Sequence, residues 1–145
     1  MASNRSTTRD QVVSLLDTAL VGTGLPVKTV SGNKQNTLEG NTPLVIVHSA
    51  GSGREGVTFQ GNVTSFHFLL QVWVLQTATD WTAAQAIDAI DEIESLIAGT
   101  VEDNRNTDNW GLIKYDGLTS VTEVEVAGVP YYVEEIPVVV SLTRS

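Results

Sequence analysis

The feature that most constrains this chain is the run Ser65 to Thr77, SFHFLLQVWVLQT, in which Phe66, Phe68, Leu70, Val72 and Val74 alternate with His67, Leu69, Gln71, Trp73 and Leu75. A period of two places the first set on one face of a β-strand and the second on the other. Both sets are largely apolar, so this is the expected central strand of a sheet. Its 13 residues would span roughly 43 Å, whereas a compact chain of 145 residues has a diameter slightly under about 40 Å. The strand must bend, or one of its ends must project.

The flanking sequence supplies neighbours for it. Thr7 or Thr8 is a candidate cap for a first helix, with Asp10 or Gln11 three residues on, and Val12, Leu15, Leu16, Ala19 and Leu20 follow at helical spacing until Gly22 and Gly24. Pro26 to Ser31 suits a short strand. The segment SGNKQNTLEGN (31–41) has the composition of a polar loop, and PLVIVH (43–48) is a strand expected to be buried on both faces. Gly51, Gly53, Gly56 and Gly61 then mark 50–61 as a glycine-rich hairpin tip, with Val57 to Phe59 as one arm. Residues 1–7 are expected to be a flexible N-terminal segment, and 31–41 and 50–61 mobile loops.

After Asp80, the spacing of Ala83, Ala86, Ile87, Ile90, Ile93 and Ile97 predicts a second amphipathic helix, with Gly99 as its stop. Asp88, Asp91, Glu92 and Glu94 fall on its exposed side without a basic residue at i+4, so packing must hold the helix. The polar stretch GTVEDNRNTDNW reads as a loop. Trp110 to Tyr115, Ser120 to Val126 and Tyr131 to Thr143 read as strands, with turns at Asp116-Gly117 and Gly128. The expected fold is α+β, an antiparallel or mixed sheet flanked by two main helices, in a single small domain over 1–145.

Pro137 cannot donate to a ladder, which predicts that the last strand lies at a sheet edge or carries a bulge. Val138, Val139 and Val140 have no charged residue beside them until Arg144, so such an edge calls for a partner, quite naturally another copy of the chain. Tyr131, Tyr132, Val138 and Val140 are therefore candidate subunit-interface residues. Arg54, Glu55 and Phe59, at the glycine-rich tip, are candidate loop contacts.

Charge is distributed unevenly. The net charge is -9, yet residues 1–54 carry five bases against three acids, while residues 55–145 carry three bases against fourteen acids. No base lies between Arg54 and Arg105, which disfavours a phosphate-binding patch over that stretch. The plainest role for the acids is surface hydration. The polar start MASNRSTTRD lacks the apolar stretch of a signal peptide, so intracellular synthesis is expected.

Motifs for chemistry are sparse. With no cysteine there is no thiol nucleophile or thiolate metal site, and His48 and His67 lack HxH or HExxH spacing, reading instead as core or cross-strand histidines. SAGSGREG (49–56) has neither the spacing nor the lysine of a phosphate loop. No GxSxG elbow is present. The helix acids spread over an arc instead of converging, and Trp73, Trp81 and Trp110 read as core or interface anchors. No enzyme chemistry and no cofactor site is expected.

The helix RDQVVSLLDTAL, the strand PLVIVHS, the long strand SFHFLLQVWVLQT leading into WTAAQAIDAIDEIESLIAG, and the closing WGLIKYDGLTSVTEVEVAG and PYYVEEIPVVVSLT together resemble the tail terminator, or tail completion, proteins of long-tailed bacteriophages. The resemblance covers nearly the whole chain and rests on order and pattern. It implies a virion protein, made in the host cytoplasm, that forms a homomeric ring of six on the head-proximal end of the tail tube. Its partners would be the tube protein and a head-completion or neck protein, with no catalysis and no membrane. DNA would pass through without specific binding, which a lining of acids would favour. Glu55, Glu102, Asp103 and Asp108 are the lumen candidates. The alternatives are another ring-forming tail or neck component, such as a tube or head-closure subunit, or a small soluble enzyme or ligand-binding domain. A deep pocket lined by convergent, perturbed titratable groups would favour the last.

Overall fold

The apolar period changes from helical to alternating and back along this chain, and the elements follow it. The computed structural model describes residues 4–33, 42–57, 61–77 and 81–144. Helix α1 (Arg5–Leu20) is followed by strands β1 (Thr29–Ser31), β2 (Leu44–Val57) and β3 (Gly61–Leu75), helix α2 (Ala83–Asp103), and strands β4 (Leu112–Tyr115), β5 (Ser120–Val126) and β6 (Val129–Arg144). They form one mixed six-stranded sheet in the order β1-β2-β3-β6-β4, with β5 also paired to β6. Of these strand pairings, β1–β2 is parallel and the others are antiparallel.

Both helices lie on one face of the sheet. Val12, Leu16 and Leu20 of α1 and Ala86, Ile90, Ile93 and Ile97 of α2 share a core with Phe66, Phe68, Leu70, Val72 and Val74 of β3. Fully burying each of these isoleucines contributes about 1.5–3 kcal/mol. Helix α1 is capped by Asn4, whose side chain accepts from the Ser6 and Thr7 amides, so the helix starts earlier than the threonines suggested. Thr8 is buried inside it, its hydroxyl donating to the Asn4 carbonyl. Thr82 and Gln85 close α2 with a reciprocal capping box. Gly99 does not stop α2, because Val101 is also buried in the core and the helix continues to Asp103.

The length of β3 is matched by both neighbours. It pairs with β2 over Gly61–Trp73 and with β6 over Asn62–Leu75, and β2 carries a bulge between Ser49 and Gly51. Residues 50–57 are thus strand, not loop: alternating hydrogen bonds to 61–67 outweigh the glycine content, and Gly51 takes the φ of +149° at the bulge. Arg54 and Glu55 are ladder positions opposite Thr64 and Val63, whereas Phe59 lies outside the described residues. So do 34–41, on which most of the other expected mobile loop falls, and residues 1–3 of the expected flexible start. The rest of that start is the cap and first turn of α1.

The edge position expected for the last strand is corrected. β6 lies inside the sheet, with β3 on one side and both β5 and β4 on the other, placed end to end. β5 pairs with Val129–Glu135 and β4 with Val138–Ser141, and Pro137 falls at the seam between them. The Pro137 carbonyl accepts from the Asp116 amide at 2.8 Å, on the β4/β5 side. In a strand the N and C=O of one residue point the same way, so the missing N–H faces the seam, where no ladder bond is lost.

Candidate functional site

Alternation leaves β2, β3, β5 and β6 with a second face that no helix of the described residues covers. Leu44, Ile46, Tyr131, Val133 and Val139 lie there, buried yet outside the helix-side core, together with the half-buried Leu69, Trp73 and Leu75. Trp73 and Tyr131 meet edge to face at 5.9 Å. Across this apolar surface runs a polar row: Gln71 Oε1 lies 2.8 Å from His48 Nε2 and 3.3 Å from the donating Trp73 indole, while Gln71 Nε2 donates to Glu135 at 2.8 Å. Further along, His67 Nδ1 is 3.0 Å from Asp116. The histidines meet an amide and a carboxylate, so neither hydrogen bond activates a hydroxyl for attack.

A second polar group lies on the helix side. The Tyr115 hydroxyl donates to the Glu94 carboxylate at 2.8 Å. Burial first, then the hydrogen bond to Glu94 and the charges of Glu94 and Glu134, hold the Tyr115 phenol far above the usual tyrosine range. Glu134, 4% exposed, has its carboxyl raised by burial and by the charges of Glu94 and Asp91, against the lowering effect of a Thr119 hydrogen bond. Glu94 is thus partly enclosed and bonded, not simply part of a solvated arc. A phenol held protonated beside a carboxylate braces α2 on β4. The sequence signal for it was Glu134, a carboxylate in the core-facing alternation of Tyr132 and Ile136.

The expected interface residues sit differently from the expectation. Val138 and Val140 point into the subunit's own helix-side core, and Tyr131 is buried on the opposite face against Trp73. Because β6 is central, the two valines offer no side chain to a second copy. Tyr132 is half-buried against the core. Arg54 is exposed with its guanidinium 5.4 Å from the Phe66 ring centre. Glu102 and Asp103 are exposed in the last turn of α2 instead of a loop, and Asp108 is exposed in the turn that follows. Trp110 is a core anchor whose indole donates to the Asn104 carbonyl, and Trp81 donates to the Leu75 carbonyl.

Clefts adjoin these residues. One, of about 220 Å³, is lined by Glu102, Arg105, Ile113, Lys114 and Tyr115 among others, and is smaller than the roughly 300–1,000 Å³ of ordinary small-molecule sites. Another, of about 480 Å³, runs between α1 and the turn after α2 and includes Thr7, Asp10, Gln11, Asn104 and Trp110. Among the described residues, no group of three or more histidines and carboxylates is arranged to hold a metal ion. Among the described residues, no helix is long and apolar enough to cross a membrane. No family model matches this chain, and no curated protein matches it either.

Proposed function

We propose that this chain is a structural subunit that assembles into a homomeric ring, of the kind that caps the tail tube of a long-tailed bacteriophage, ending tube growth and offering a surface to the head. The observation that carries this reading is the sheet face on which Leu69, Trp73 and Leu75 stay half-buried, with no helix of the described residues over them. A two-layer fold with such a face is built to be completed by a neighbour, in assembly instead of catalysis. The exposed acids Glu102 and Asp103 in the last turn of α2, and Asp108 in the turn that follows, supply negative charge to a channel wall where they approach the bore.

The test is electron microscopy of the purified protein, alone and mixed with tail tubes under polymerising conditions. Rings seated on one tube end, with tube growth halted, are expected. A monomer that neither assembles nor touches tubes overturns the proposal. A companion variant with the three acids replaced by lysine should still form particles yet deliver DNA poorly, and normal delivery would remove the acids from the channel.

A further inference from the structure

We propose that neighbouring copies of this chain meet edge to edge, the β1/β2 margin of one against the β4/β5 margin of the next, continuing the sheet with the helices kept on one side. The inference rests on the ring reading and specifies how its subunits join.

Among the described residues, both margins are open. β1 pairs only with β2 and covers only Leu44–Ile46, so the outer edge of β2 beyond Ile46 has no strand partner among the described residues. At the opposite margin β4 and β5 pair only with β6. Rows of unpaired amides and carbonyls are templates for another strand. The directions suit such pairing. β5 is antiparallel to β6, β6 to β3, and β3 to β2, so β5 runs antiparallel to β2. A ring rotation that preserves strand direction then brings β2 against β4 and β5 in the antiparallel sense.

On the helix side of the sheet, the two margins carry opposite charge at two levels along the strands. Arg5 and Arg9 of α1 reach over β2 and donate to the Ser52 and Ser49 hydroxyls at 3.0 and 2.9 Å, and Lys28 stands just before β1. From Leu44 to Arg54, β2 contains no acid, and β1 contains none. At the other margin, Glu123 of β5 lies opposite Tyr132, on the face that the helices cover.

The charges also fall at matching levels. The row Thr29–Leu44–Trp73–Val133–Thr122 crosses the whole sheet, placing Lys28 and Glu123 one residue from its two ends. The row Ser49–Phe68–Val138–Tyr115 joins the Arg9 anchor to the tyrosine bonded to Glu94. The row Ser52–Phe66–Val140–Ile113 ends instead at a cleft of mixed charge, lined by Glu102, Arg105 and Lys114. Two copies side by side without a shift along the strands therefore bring base to acid at two heights. This is a head-to-tail contact, the kind that closes into a ring. Its strand hydrogen bonds supply adhesion, and its charges set register and exclude other pairings.

Charge reversal tests the contact. One variant carries Lys28→Glu, a second carries Glu123→Lys at the other end of the same row, and a third carries both changes. Lys28 and Glu123 are exposed, so folding is retained, as circular dichroism would verify. Sedimentation should show each single variant associating about tenfold more weakly than the wild type or worse. The double variant, and an equal mixture of the single variants, should recover, because reversed margins match one another. A wild type that assembles while a single variant assembles equally well, or while the double variant fails to recover, overturns this contact and leaves the ring reading standing. A wild type that stays monomeric at every concentration overturns both.

Discussion

The turn joining β5 to β6 stores strain that one substitution should release. Val126 pairs with Val129, leaving Ala127 and Gly128 as a two-residue hairpin loop with φ of +51° and +80°. Those angles define a type I′ turn, which needs left-handed backbone at both positions. Gly128 adopts it freely. Ala127 is the only described non-glycine residue with positive φ, and its Cβ makes that conformation cost about 1–2 kcal/mol. Asparagine tolerates the region and is the preferred first residue of such turns. Because Ala127 is exposed, the exchange disturbs no packing. Ala127→Asn should therefore stabilise the fold by about 0.5–1 kcal/mol, raising the melting temperature by roughly 2–4 °C for a domain of this size. Ala127→Gly should gain less, since added freedom in the unfolded chain offsets about 0.4–1 kcal/mol. Ala127→Val should lose stability, its branched side chain being worse still in left-handed backbone. Urea unfolding at constant m-value would measure all three. An asparagine variant no more stable than the parent, with a valine variant equally stable, would refute the strain argument.

Two further expectations concern the core and the carboxylates. Val140→Asp places a charge at a site with 0% exposure and should cost more than about 4 kcal/mol, so circular dichroism should show an unfolded chain and not a folded monomer that fails to assemble. Folding raises the Glu134 carboxyl above its ordinary 4.5, so its favourable contribution is fully present below that value and is lost as pH rises through the raised one. Glu134→Gln should accordingly be more stable than the parent at neutral pH and show a flatter pH dependence, read from urea midpoints across mildly acidic to neutral pH. An unchanged slope would dismiss the assignment.

Periodicity was the most legible part of the sequence. β5 occupies the expected 120–126, and Ile90, Ile93 and Ile97 form the buried stripe that their spacing predicts. What sequence could not convey was sharing of space. Pro137 reads as an edge residue only if each strand has one neighbour per side, and here two short strands divide one side of β6 and meet at the proline. For the same reason Val138 and Val140 looked like surface in search of a partner when they belong to the core. The glycines of 50–57 were read by composition, while their structure comes from the partner strand. The polar row His48–Gln71–Glu135 assembles from positions up to 87 apart in sequence, and no local motif could announce it.

The pairing of β3 with β6 also governs how quickly the chain can find its fold. Contacts at the centre of the sheet join residues such as Gln71 and Glu135, or Ser65 and Ser141, separated by 64 and 76 positions. The hairpins β2–β3 and β5–β6 can each form locally within microseconds, but joining them requires closing a long loop that contains α2 and β4. Such non-local topologies fold on the millisecond to second scale. Until the hairpins dock, the apolar edges of β3 and β6 are bare, and it is in that interval, more than in the finished subunit, that crowding of nascent chains threatens this protein with aggregation.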